Sequence, residues 1–245
     1  MIRLLALREL RSLFSMPSTW FIFAALQFIF AWFFLNTLQT YLELQPQLSQ
    51  LAGTPGVTGI VAPPLFNMAS LLLMMLVPMY TMRLIAEERR NQSFALLLSA
   101  PISGYEIVFG KFLGLFVFLM ILLATIPTML YTLVLGTDLD HGLLLTNILG
   151  LALLSASYVA AGLYISTLTA HPVMAAIGAL AFLAGLWLTD ITASGENSPW
   201  HIFSPLHHFQ SFNGGLLDSG DAAFFALFSV FFLALAIRRL SNRYA

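Results

Sequence analysis

The sequence predicts an all-α polytopic membrane protein with six transmembrane helices. Two observations carry that prediction. Hydrophobic residues make up 59% of the 245 positions and charged residues only 9%, a balance outside the range of soluble globular domains. The apolar residues also fall into six runs, most of them near the roughly 20 residues that a helix needs to cross the hydrocarbon core. The chain reads as a single transmembrane domain, 1–245, with spans expected at 20–41, 65–82, 105–135, 143–168, 173–189 and 222–237.

The charges set the expected sidedness. With six helices drawn, all ten basic residues lie on one side: Arg3, Arg8, Arg11, Arg83, Arg89, Arg90, Lys111, Arg238, Arg239 and Arg243. On the other side lie Glu43, Asp138, Asp140, Asp190, Glu196, Asp218 and Asp221. By the positive-inside rule both termini and the polar stretch Arg83–Lys111 are expected to be cytoplasmic.

Residues 1–16 alternate arginines with leucines, and at 100° per residue Arg3, Arg8 and Arg11 share one face, as in an interfacial helix. A cleaved signal peptide fits less well, because the apolar run starts only after Pro17 and has no small-residue cleavage site behind it. Trp20, Trp32 and Tyr41 supply interfacial anchors for the first span. Pro46, Gly53, Pro55, Gly56, Pro63 and Pro64 then punctuate an expected external loop, with room for a short surface helix over 42–51.

The second span holds five of the ten methionines, and Met68, Met75, Met79 and Met82 share a narrow arc. Thioethers could line a soft-metal path, but packing, or lining an adaptable apolar translocation path, is the simpler role. Pro78 is expected to kink this helix. The third span opens on a capping box, Ser103 followed by Glu106, in which each side chain reaches the other's backbone. A four-residue turn, 169–172, makes the fourth and fifth spans a hairpin. Small residues four apart, such as Ser157 with Ala161 and Ala175 with Ala179, permit close helix approach in lipid. Before the last span, Trp200, Phe203, Leu206, Phe209, Phe212 and Leu216 are spaced as an external amphipathic segment at the membrane surface.

No ionisable side chain falls in the middle of a span, which argues against an ion-driven carrier. There is no cysteine and no HExxH or GxSxG motif. His201, His207 and His208, with Asp218 and Asp221, lack ligand-like spacing, and no metal site is expected. The segment ending in Gly110–Lys111 fails as a phosphate loop, with Tyr105 in place of the first glycine and Phe112 in place of the serine or threonine. The chain is therefore expected to hydrolyse no ATP and to bind no cofactor itself. What remains is the charged stretch between spans two and three. Glu87 and Glu88 are not needed for topology, and Phe94 and Leu96–Leu98 give it an apolar edge, as a helix docking on a soluble partner requires.

The run EERRNQSFALLLSAPISGYEIVFGKFLG resembles the cytoplasmic segment of ABC-2 type permeases, in particular the gliding-motility and nitrous-oxide-reductase-maturation branch. The stretch HFQSFNGGLLDSGDAAFF, residues 208–225, is similar to that branch's segment before the last helix. The resemblance implies a homodimeric permease of the bacterial inner membrane, with two copies of a separate ABC ATPase carrying ATP and Mg2+. It also implies a cytoplasmic coupling helix over 87–99, with Glu87, Glu88, Arg89, Arg90, Phe94 and Leu97 as contacts; the break at Pro101–Ser103 before the capped start of span three is then expected to act as a hinge. A periplasmic auxiliary protein and membrane lipid are further implied partners; no nucleic acid is expected. A passive channel or ion-coupled carrier without an ATPase is the competing function, and an intramembrane enzyme lacks a nucleophile.

Overall fold

A computed structural model of the chain describes residues 1–48, 56–90, 103–135, 139–192 and 203–241. Among these the secondary structure is helical throughout, and six helices are long and apolar enough to cross a membrane. In chain order they are α1 (Ile2–Ser15), α2 (Pro17–Leu48), α3 (Val57–Met82), α4 (Gly104–Leu123), α5 (Thr125–Tyr131), α6 (His141–Leu168), α7 (Pro172–Thr192), α8 (Pro205–Asn213) and α9 (Ser219–Ser241). The spans are α2, α3, α4 with α5, α6, α7 and α9.

Helix α6 is the central post. It packs against α3, α4, α7, α8 and α9, and small residues make those contacts close. A Cβ at Gly162 would lie 2.6 Å from Thr81 Oγ1 on α3, and one at Gly150 would lie 2.5 Å from Phe212 Cβ on α8. Ser157 meets α9, its hydroxyl 3.2 Å from that of Ser229. The Ser157–Ala161 and Ala175–Ala179 pairs are buried in such contacts, whereas Gly185, one of the small residues on α7, faces open space. In lipid no hydrophobic force separates partner from solvent, so this stepwise closeness, which maximises dispersion contact, is what joins the helices.

Several helices run past the expected spans. Helix α2 continues through Pro46 to Leu48, in place of a break followed by a surface helix near residue 42. Helix α3 starts at Val57, so Pro63 and Pro64 lie inside it rather than in a loop. Proline removes helix bonds, but packed neighbours make such positions tolerable. Here the Asn213 side-chain amide donates to the Pro63 carbonyl at 3.2 Å, and Gln210 donates to Asn67 Oδ1 at 2.9 Å, docking α8 on this part of α3. Span three breaks at Ala124, one residue before α5 and three before Pro127. The Thr125 hydroxyl at that break accepts a 2.6 Å bond from Gln27 of α2.

Helix α8 is shorter than the amphipathic segment expected before the last span, and its apolar face turns inward. Phe209 and Phe212 are wholly buried against α6, while Phe203 and Leu216 are exposed. Leu216 follows a turn in which Gly215 has φ +83°, the left-handed conformation that favours glycine. Trp200 lies outside the described residues.

Candidate functional site

Helix α3 does not stop at Met82. It passes through a π-helical turn, Arg83–Glu87, and a last helical turn, Glu88–Arg90. From Val57 to Arg90 that makes 34 residues, about 50 Å at 1.5 Å per residue against a core of about 30 Å. The helix is thus about 20 Å longer than the core it would cross, and the charged residues lie at one of its ends. π-Turns are rare and gather at functional positions, because they put one residue too many into the ladder. Here the buried amide of Ala86 donates sideways to Ser166 Oγ on α6, at 3.1 Å.

Beyond the π-turn the side chains bind inward. Lys111 of α4, only 3% exposed, donates to Glu9 Oε1 of α1 at 2.6 Å and to Glu88 Oε1 at 2.7 Å. Arg8 stands 3.6 Å from the same Glu88 oxygen. Two cations and two carboxylates thus form a formally neutral group joining α1, the end of α3 and the start of α4. Arg89 donates to the carbonyl of Thr167 at the end of α6, at 2.7 Å. Nearby, Arg83 reaches Met16 Sδ at 3.0 Å, tying the α1–α2 junction to the π-turn.

The Lys111 pocket depends on two glycines one helical turn apart. A Cβ at Gly110 would lie 2.6 Å from Leu5 Cβ, and one at Gly114 would lie 2.7 Å from Glu9 Cβ. Their absence lets α1 press onto α4 closely enough for Glu9 to reach the ammonium. At the head of α4, Glu106 accepts from the backbone N–H of Ser103 at 3.2 Å and from its hydroxyl at 3.1 Å, within a capping box.

Of the residues singled out from sequence, Glu88 and Arg89 are engaged with other helices, Glu87 is half-buried and Arg90 is exposed. Phe94, Leu97 and Pro101 lie outside the described residues. Met75 and Met79 are exposed on α3, with Met68 and Met82 half-buried beside them, on a strip turned away from α6. Arg8 was read from sequence only as part of the basic face of an interfacial helix, and Glu9, Ser166 and Thr167 were not singled out. The GxxxG spacing of Gly110 and Gly114 was the available signal for the α1 contact; Ser166 and Thr167 carry none.

At the acidic end, His208 Nδ1 stands 2.6 Å from Asp221 Oδ1, joining α8 to α9, with the imidazole stacked on Phe224 at 4.0 Å. Asp218 accepts from the Gly220 amide at 2.9 Å. Among the described residues no three His, Asp or Glu side chains gather as metal ligands; His201 lies outside them. A cavity of about 550 Å³ opens beside these elements, lined in part by Thr58, Asp140 and Asn213.

Spanning helices gather about α6, and a charged extension of α3 is knitted back into the bundle at one end, the architecture of a multi-pass membrane protein. The sequence model of the family described as ABC-2 family transporter protein matches residues 3–241, and the chain belongs to that family. No curated protein matches the chain closely enough to be compared with it. The family consists of the membrane subunits of ABC transporters, which work with ABC ATPases.

Proposed function

We propose that this chain is the permease half of an ATP-driven bacterial exporter or mechanotransmission complex, moved by a separate ATPase that docks on the segment following Arg90. The observation that supports it most is the bracing of that segment's root. Displacement of Glu88–Arg90 cannot stay local, because Glu88 is bonded to α4 and Arg89 to α6. A solvated loop would need no such ties. In this reading Glu87, Arg90, Phe94 and Leu97 face the ATPase, while Glu88 and Arg89 pass its motion inward. The ATPase, in two copies, holds ATP and Mg2+; Lys111, already taken by two carboxylates, is not placed to bind phosphate.

Two copies of the chain form the permease in the inner membrane, with the basic end and both termini cytoplasmic. The methionine strip of α3 lines the translocation path, where thioethers adapt to varied apolar cargo. The cavity at the acidic end, with the α8–α9 corner beside it, is where a periplasmic auxiliary protein would meet the permease. The similarity of residues 208–225 to the gliding-motility and nitrous-oxide-reductase-maturation branch supports placing the chain there.

The test is copurification and reconstitution. An ABC ATPase should copurify with the chain, and its ATP turnover should change on reconstitution with it. Joint replacement of Glu88 and Phe94 by alanine should abolish that change. Transport by the chain alone in liposomes, at the rate seen with ATPase and ATP, would establish a passive channel or ion-coupled carrier instead.

A further inference from the structure

Beside the Glu9–Lys111 contact, the outer faces of α1 and α4 diverge into a groove of about 310 Å³. Leu7 and Leu10 of α1 form one wall, Leu113 and Val117 of α4 the other, and Gly114 the floor. Arg3, on the same face of α1 as Leu7 and Leu10, closes one end. Leu7 and Val117 are 51% and 41% exposed, and the apolar wall continues along α4 to the exposed Ile121. Arg3 has no hydrogen-bond or ion-pair partner among the described residues, and Glu9 of the same helix is committed to Lys111.

We propose that this groove binds one anionic phospholipid, its phosphate held by Arg3 and an acyl chain laid along Leu7, Leu10, Leu113 and Val117. The chemistry selects that occupant over a peptide or a neutral lipid. The walls offer no backbone or side-chain polar group to satisfy a peptide, and they lead into the hydrocarbon face of span three. The one polar group present is a cation without a counter-ion, at the surface of a basic, amphipathic helix. Bound there, the lipid clamps α1 to α4 directly beside the ion-pair group, so lipid composition bears on how firmly the root of the charged segment is held. The site does not depend on an ATPase partner.

Native mass spectrometry of the full chain in detergent, titrated with phosphatidylglycerol or with phosphatidylcholine, tests it. Wild type should retain one phosphatidylglycerol about five-fold more tightly than phosphatidylcholine, as one interfacial arginine provides. Arg3→Gln should erase the preference and Arg3→Lys keep it, while Val117→Trp, which fills the groove, should weaken retention of both lipids. Arg11→Gln removes the same charge from α1 outside the groove and should leave the preference intact. Equal retention of the two lipids by wild type, or equal loss in Arg3→Gln and Arg11→Gln, would overturn the proposal.

Discussion

Glu88 and Lys111 are 23 residues apart in the chain and meet at 2.7 Å. The pair therefore pins together the described residues on either side of 91–102, with Glu9 of α1 on the same ammonium. In the proposed complex, a pull on residues 91–102 would reach α4 through Glu88 and α6 through Arg89. Replacing Lys111 by methionine leaves Glu9 largely buried without its cation and Glu88 with only the longer Arg8 contact, and the expected loss of stability is about 3–5 kcal/mol. Glu88→Gln, which keeps a hydrogen-bond acceptor, should cost clearly less. In the double variant the two changes should prove non-additive by about 0.5–3 kcal/mol. Thermal unfolding of the purified chain, followed by tryptophan fluorescence, gives all three values; strict additivity would show that the pair is not energetically coupled.

Gly114 sets how closely α1 approaches. Its missing Cβ would collide with Glu9 Cβ at 2.7 Å and with the Ala6 carbonyl at 3.0 Å, the latter being backbone that cannot turn aside. Gly114→Val should lift α1 off α4 and cost about 1–3 kcal/mol, as overpacking does. Hydrogen exchange localises the effect: amides of Ile2–Ser15 should lose protection while those of α6 keep it. Unchanged exchange in α1 would mean that the contact adds nothing to its order.

Two helical glycines make a sharper comparison. Gly162 sits against Thr81, with three side-chain atoms within 3.0 Å of a built Cβ, whereas Gly185 has nothing within 4 Å. Gly162→Ala should destabilise the chain by about 1–3 kcal/mol. Gly185→Ala should be neutral or stabilising by up to about 1 kcal/mol, the intrinsic helix preference for alanine. Melting temperatures of the two variants should shift in opposite directions, or only the first should fall.

These glycines also mark how far the sequence could be read. Six spans and a basic end were legible because length, hydropathy and charge placement are one-dimensional quantities. Which small residues face a neighbour is not. Gly162 and Gly185 look alike in sequence, and only the position of α3 against α6 separates them. The ends of α2 and α3 escaped for a related reason. Proline counts against a helix when read locally, yet Pro63 is supported by an amide from Asn213, 150 residues away. At the site, Glu87 and Glu88 stood out as charge without a topological need, Arg89 entered through the family resemblance, and the Ser103–Glu106 box was legible from spacing alone. Glu9 did not stand out, because its meaning comes from Lys111, 102 residues on.

The π-turn offers a test of bracing that touches no charge. Ser166→Ala removes the acceptor of the Ala86 amide, both residues being fully buried. A buried donor left unsatisfied costs about 1–3 kcal/mol, and the π-turn should loosen or revert to α-helix, rotating Glu88 relative to Lys111. Faster hydrogen exchange across residues 83–90, with the rest of α3 unchanged, is the expected signature. In complex with an ATPase the same variant should couple hydrolysis to transport less tightly. Normal coupling alongside a loosened turn would assign the bracing to stability alone.

The methionine strip can be placed by cross-linking, since the chain contains no cysteine and single introduced thiols report without background. On α3, Met75 is 58% and Met79 48% exposed, although α2 and α7 also pack on this helix and α6 holds the face opposite the strip. If two copies enclose a translocation path along this strip, the two positions face their own counterparts across a narrow gap. Met75→Cys or Met79→Cys should then form a covalent dimer under mild oxidation in membranes. Phe231→Cys on α9, 58% exposed in the wild-type side chain, should stay monomeric as a lipid-facing control. A dimer from the α9 position and none from either α3 position would move the interface to α9 and leave the methionines facing lipid. A Cα separation of about 4.4–6.8 Å is needed for the bond, so a positive result also fixes how closely the two α3 helices approach.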